Sequence, residues 1–195
     1  MINIRKMNLE QSGMLAQIDR SEYIRKIYRQ TANGLEEENA GHDCASWDES
    51  SLRKLEQRFQ EELRSGGAGF GAFEGERLVG FAVLAHQFRG PNRDRLQLDL
   101  MYVTRSHRRQ GLGRRLMDEV KKEAVRRGAR YLYISSTETD SAVNFYRSSG
   151  SEPVESVDKE LFALEPEDIH MIIELDKNET KLPGAGFGGD DIEKQ

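Results

Sequence analysis

Between Arg108 and Leu116 the chain reads RRQGLGRRL, with two glycines one residue apart and a pair of arginines on either side. An apolar run precedes this stretch and a helical pattern follows it. A strand that ends in a glycine-bearing loop and opens a helix leaves backbone N–H groups unpaired at the positive end of the helix dipole, which suits a phosphate. Gly111 and Gly113 let the backbone approach such a ligand closely. Arg108 and Arg109 before them, and Arg114 after, add charge-assisted contacts that need no metal. A Walker loop requires G-x-x-x-x-G-K-[ST], and a dinucleotide fingerprint requires a third glycine where Leu116 stands. Neither pattern is met; the anion expected from the glycines and arginines together is a pyrophosphate. The competing reading is a tight turn with solvated arginines.

Other reactive side chains offer less. Cys44 is the single cysteine; it excludes an internal disulfide and stands in an acidic stretch with no evident base. No G-x-S-x-G elbow presents a serine nucleophile. His42 and Cys44 flank Asp43 without the paired spacings of a zinc site, so no metal is expected. His86 and His170 fall on strands and read as structural, and His107 supports the glycine turn.

The elements that must position the loop follow from hydrophobic period. Ile2 to Met7 alternates as a first strand. Leu9 to Ile18 and Tyr23 to Tyr28 repeat at three and four, which predicts two helices. Gly34 to Ser46 is acidic and irregular, and Ser46 with Glu49 resembles a capping box for a helix through about Leu63. Phe70 and Ala72, then Leu78 to His86, predict a hairpin about Glu74-Gly75-Glu76. Leu96, Leu98 and Leu100 give a fourth strand one oily face, with Gln97, Asp99 and Met101 on the other. Leu112, Leu116, Val120 and Ala124 form the buried stripe of the helix behind the loop. Arg130 to Ser136 predicts a fifth strand, Asp140 to Arg147 a helix, and Ile169 to Leu175 a last strand.

With 195 residues and 36% hydrophobic content, the chain fits one domain. No apolar run approaches the roughly 20 residues of a membrane span, and the amino terminus lacks a signal-peptide core. A soluble, cytoplasmic protein without membrane contact is expected. The net charge of −5 argues against nucleic acid, although residues 105–130 carry ten Lys or Arg against three Asp or Glu. Residues 35–50 carry six carboxylates and no Lys or Arg, which favours a cationic partner or is simply a solvated face.

Val103 to Gly113, VTRSHRRQGLG, resembles the coenzyme-A loop of the GNAT acyltransferase superfamily, V-x-P-x-Y-R-x-x-G-x-G. Ala142 to Tyr146, AVNFY, followed by Gly150, is similar to that family's second cofactor segment, A-x-x-x-Y-x-x-x-G-F. Arg105 stands in place of the usual proline, Thr139 in place of a frequent asparagine seven before the tyrosine, and Ser151 in place of the phenylalanine. The order of elements extends the resemblance over most of residues 2–175.

The resemblance implies an α/β (α+β) GNAT fold. Its central mixed, mostly antiparallel sheet has six to seven strands flanked by about four helices, and splays between the fourth and fifth strands. Residues 1–176 would form the acyltransferase domain and 177–195 a flexible tail. It implies acetyl-CoA as co-substrate and direct attack by the primary amine of a small molecule. Backbone N–H groups at Met101 and Val103 would meet the acyl carbonyl and pantetheine. Arg108, Arg109, Gln110, Gly111, Leu112, Gly113 and Arg114 would hold the pyrophosphate, with Thr139 and Asn144 also at the cofactor. Tyr146 would protonate the departing thiolate, or simply pack against the sheet. An amine arrives protonated, and Asp99, on the polar side of the fourth strand, is the first candidate to accept that proton. Glu22, placed at the start of the second predicted helix, is the other. Each also reads as an ordinary structural carboxylate. Left open are a protein or peptide N-acetyltransferase, a non-catalytic acyl-CoA sensor, and a homodimer through the last strands.

Overall fold

The computed structural model describes residues 1–31 and 34–175; the predicted tail lies outside them. In chain order the elements are β1 (Ile2–Met7), a 3-10 helix (Leu9–Gln17), β2 (Glu22–Thr31), β3 (Gly34–Cys44) and α1 (Glu49–Arg64). Then come β4 (Ala68–Glu74), β5 (Arg77–Arg89), β6 (Arg95–Val103), a 3-10 turn (Arg105–His107), α2 (Leu112–Arg126) and β7 (Tyr131–Ser136). The chain continues through α3 (Asp140–Ser148), β8 (Glu152–Pro153), α4 (Lys159–Leu164) and β9 (Ile169–Glu174). Seven strands form one sheet in the order β1-β4-β5-β6-β7-β9-β8, and every neighbouring pair is antiparallel except β6 with β7. The predicted fold class therefore holds.

Two core layers sandwich this sheet. On one face Leu112, Leu116, Val120 and Ala124 of α2 pack with Leu96, Leu98, Leu132, Ile134 and Val143. On the other, Leu55 and Phe59 of α1 and Leu15 of the 3-10 helix pack with Phe81, Val83 and Leu100. Each fully buried side chain of this size stabilises by about 1.5–3 kcal/mol, so the apolar period of α1 and α2 fixes which face each helix covers. Asp48, not Ser46, caps α1: its Oδ1 accepts the Ser51 N–H at 2.7 Å. No helix among the described residues is long and apolar enough to cross a membrane.

Two expectations fail together. Tyr23 to Tyr28 is not a helix, and Gly34 to Ser46 is not irregular: β2 and β3 form an antiparallel hairpin of their own. Its register shifts between Ile24 and Lys26, where β3 carries the extra residue, and Ile24 and Tyr28, four apart on β2, share its buried face. A spacing of four fits the period of a strand as well as the turn of a helix, so these two residues alone read as either. Acidic residues of β3 pair across the hairpin, Glu37 with Lys26 at 2.6 Å and Glu38 with Arg29 at 2.8 Å, so much of the acidic run is neutralised in place.

A second bulge matters more. Val83 pairs with Leu100 and Leu84 with Leu98, leaving Asp99 as the extra residue of β6. Leu96 and Leu98 consequently face the α2 layer whereas Leu100 faces the α1 layer, and the single oily face expected for this strand is split. Beyond the bulge β6 also leaves β7. Their parallel pairing runs only from Arg95 and Tyr131 to Leu98 and Ile134, while β7 continues on β9 as far as Ser136 and Ile169. The sheet splays where the sequence reading put it.

Candidate active site

Past Leu98 and Ile134 the β6–β7 pairing stops, which leaves a gap between the two strands at that end of the sheet. On the β6 side, Thr104 N–H donates to the Val79 carbonyl of β5, while the Val103 carbonyl faces away and accepts from Arg108. Because peptide groups alternate along a strand, the N–H groups of Met101 and Val103 lie on the edge that faces the gap.

At the mouth of the gap stands the glycine turn. Arg109 (φ 60°) and Gly111 (φ 77°) both take left-handed backbone, which turns the chain sharply into α2. The first bond of α2 runs from Arg115 N–H to the Gly111 carbonyl at 3.1 Å. The amides of Leu112, Gly113 and Arg114 come before it and donate to nothing among the described residues. A side chain at Gly111 would point into open space. At Gly113 a Cβ would lie 3.1 Å from Cε2 of Phe145, so α3 rests directly on this turn. The exposed Arg109 and Arg114 form no ion pair among the described residues. Gln110 closes the turn through Nε2 to the Ser106 carbonyl at 3.0 Å.

Arg108 departs from the expectation. Its guanidinium points back into the protein, donating to the Val103 carbonyl (3.0 Å), the Ser21 carbonyl (3.3 Å) and Glu22 Oε2 (3.2 Å). It therefore ties the end of β6 to the start of β2. Glu22 opens a strand rather than a helix, and its carboxylate is taken by Arg108 and by the Ser141 hydroxyl at 3.0 Å. Thr139 caps α3, accepting the Ala142 N–H at 3.4 Å. Asn144 Oδ1 accepts the Tyr28 hydroxyl at 3.2 Å, which pins the β2–β3 hairpin to α3.

Tyr146 lies beside Phe145, ring centroids 5.2 Å apart, and its hydroxyl makes no hydrogen bond among the described residues. Burial pushes its phenol well above the ordinary value, and Tyr102 and Asp168 add to the rise. The charge of Asp168 thus acts on both the Tyr146 and the Tyr102 hydroxyls.

Asp99 lies on the α1 side. Arg58 holds it in a fork, Nη2 to Oδ1 at 2.7 Å and Nε to both oxygens at 3.2 and 3.1 Å, while Arg58 also reaches Glu165 at 3.7 Å. Burial raises the Asp99 carboxyl, and the guanidinium opposes that rise. As a proton acceptor Asp99 would first have to leave this fork.

Sequence reasoning missed several groups near the gap. Tyr102 packs edge-on to Trp47 at 4.9 Å, and the Arg20 guanidinium covers the Trp47 ring at 4.3 Å. Asp168 accepts the Ser135 hydroxyl at 2.8 Å. Burial pushes the Asp168 carboxyl up to about 6; the Ser135 hydrogen bond and Arg58 work against that rise, and Glu165 and Glu138 add to it. Only one signal could have pointed to Asp168: an acid immediately before the last strand. A concavity between β5 and α4 is lined by Arg89, Arg93 and Glu160, but Arg89 is already paired there with Asp158 (3.2 Å) and Glu160 (2.7 Å).

Comparison with known proteins fits this geometry. The model of the Acetyltransferase (GNAT) family matches residues 24–150. No curated protein matches the sequence. Among solved structures, nourseothricin acetyltransferase superposes with a TM-score of 0.66 at 20% identity, covering 90% of this chain and 99% of its own. A putative streptothricin acetyltransferase from Bacillus anthracis, in complex with acetyl coenzyme A, gives 0.68 at 16%, with coverage of 90% and 99%. The ribosomal-protein-S18-alanine N-acetyltransferase from Escherichia coli gives 0.59 at 16%, with coverage of 96% and 100%.

Proposed function

Since this chain belongs to the GNAT family of acetyltransferases, whose acyl donor is acetyl-CoA, we propose that it is an N-acetyltransferase acting on a primary amine of a small cationic molecule. The observation that carries the reading is the run of amides at Leu112 to Arg114 that donate to nothing among the described residues, at the turn on which Phe145, the neighbour of Tyr146, rests. The residues present suit the donor: free N–H groups, open space at Gly111 and the exposed Arg109 and Arg114 fit a diphosphate. When bound, acetyl-CoA supplies a thioester whose carbonyl carbon accepts the amine.

The chain's own residues do the rest. Met101 and Val103 present N–H groups from the free edge of β6, placed to bind a carbonyl oxygen as charge develops on it. Tyr146, whose phenol burial raises still further above neutral pH, carries its proton and holds it for the leaving sulfur. Arg108 and Gln110 brace the turn, and Gly113 admits Phe145 so that α3 brings Tyr146 to the gap.

Support for a cationic acceptor comes from the gap rather than from the acidic hairpin. Glu138 and Glu165 add negative charge beside Asp168, and the Arg58 guanidinium that opposes them is already forked to Asp99. A small acceptor is favoured over a peptide by the β2–β3 hairpin, which lies across α3 and reaches toward β9. Ile27 bridges Thr139, Arg25 meets Asp140 at 3.5 Å, and Arg29 meets Glu167 at 3.0 Å, so this flank is closed.

The test is thiol release from acetyl-CoA with a panel of lysine, spermidine and kanamycin beside a panel of unmodified peptides, with acetylated products identified by mass. Turnover with a small amine supports the reading. Turnover with peptides alone would replace it by a peptide acetyltransferase, and coenzyme-A binding without any turnover would replace it by a sensor.

A further inference from the structure

Asp99 is held by three hydrogen bonds from Arg58, and Glu22 by Arg108 and Ser141. Neither carboxylate can take a proton from an incoming ammonium without breaking a structural tie. A third carboxylate keeps one oxygen outside such ties among the described residues. Asp168 precedes β9, whose Ile169 pairs with Ser136 at the far end of β7, so it stands at the rim where β7 has left β6. Its Oδ2 accepts from Ser135 at 2.8 Å, and its Oδ1 makes no hydrogen bond among the described residues.

We propose that Asp168 is the catalytic proton acceptor, binding the cationic acceptor amine at the β7 rim of the gap and taking one proton from it. In that step an N–H bond of the ammonium breaks and an O–H bond forms on Oδ1. The electron pair stays on nitrogen, which becomes the free amine that attacks. The groups facing Asp168 fit the task. Ser135 of β7 orients the carboxylate, and its charge is felt by the phenols of Tyr146 on α3 and Tyr102 on β6, which stay neutral. Glu138 before α3 and Glu165 before β9 add negative charge that favours a cation, and Arg58 of α1 limits it. With its carboxyl pushed up to about 6, Asp168 is ionised at neutral pH yet basic enough to hold a proton briefly, the compromise expected of a general base. Asp168 and Tyr146 then divide acid and base roles between two groups whose environments set them apart.

This assignment rests on the function proposed above, and its test separates the two. The carbon-13 carboxyl signals of the free protein are titrated for wild type, Asp168→Asn and Ser135→Ala, with no ligand present. The expected result is a midpoint at about 6 that is absent from Asp168→Asn and moves upward in Ser135→Ala, because the lost hydrogen bond had favoured the charged form. With the best amine of the panel, kcat/KM of wild type should fall below pH 6, and Asp168→Asn should lose about a hundredfold at neutral pH and lose that acidic limb. Asp168→Glu should recover part of the loss, and coenzyme-A affinity should stay within about twofold throughout. A wild-type midpoint in the ordinary aspartate range, or an acidic limb retained by Asp168→Asn at near-normal rate, overturns the assignment. A protein that shows the raised midpoint but acetylates no amine overturns the proposed function instead.

Discussion

Arg58 of α1 and Asp99 of β6 form a fork with contacts of 2.7, 3.1 and 3.2 Å, and the carboxylate side chain is only 6% exposed. The fork fastens a helix to the bulge that turns β6 away from β7. Removing the cation alone leaves a buried, unpaired carboxylate. We expect Arg58→Ala to cost about 2–3 kcal/mol, at the low end for a buried pair because the guanidinium is itself partly exposed. Asp99→Asn combined with Arg58→Ala should cost less than the sum of the two single changes. Urea unfolding of the three variants measures the coupling, and strict additivity would remove the fork from the account.

Glu123 of α2 gathers Arg126, Arg127 and Lys6 at 2.6, 2.9 and 3.3 Å. The Arg126 hydrogen bond is the foremost cause that lowers its carboxyl to about 2, with Arg127 and Lys6 adding and burial opposing. A depressed carboxylate stabilises the fold above its unfolded value and loses that contribution as pH falls toward the folded one. Glu123→Gln should therefore cost about 1.5–3 kcal/mol at pH 7, and the gap to wild type should close between about pH 4.5 and 2. Thermal unfolding across that range checks the sign.

For Asp168 the sign is reversed. Its folded carboxyl is raised from 3.8 to about 6, so the native state holds the extra proton in that window and loses stability as pH rises through it. Asp168→Asn should melt at a higher temperature than wild type at pH 7.5 and at the same temperature near pH 3.5. A lower melting temperature at pH 7.5 would show the charged carboxylate to be stabilising.

Gly113 and Gly111 should fail differently. A valine at 113 meets the Phe145 ring, which must shift, and overpacking of this kind costs about 1–3 kcal/mol. An alanine at 111 meets nothing but must hold a φ of 77°, a strain of about 1–2 kcal/mol. Gly113→Val should also disturb Tyr146 through Phe145 and reduce turnover, whereas Gly111→Ala should act mainly on coenzyme-A affinity. Melting curves beside KM and kcat separate the two.

The legible parts of the molecule were those with a local cause. The glycine turn, the stripe of α2 and the β4–β5 hairpin each follow from residues close in sequence. Tyr23 to Tyr28 reads as a helix because a spacing of four between Ile24 and Tyr28 fits either period, and Gly34 to Ser46 reads as irregular because its acidic residues find partners only across the hairpin. The sequence directs Arg108 to phosphate because local charge cannot reveal that Val103, Ser21 and Glu22 are within its reach. Asp168 and Ser135 are 33 residues apart and meet only through the pairing of β7 with β9.

The central claim is that the amides opening α2 hold the diphosphate of an acyl carrier. Coenzyme A titrated calorimetrically into wild type and Gly111→Asp tests it, since aspartate tolerates left-handed backbone and adds negative charge where the phosphates belong. The account predicts that the variant stays folded and its Kd rises at least about tenfold. Equal affinity in the two proteins would contradict it.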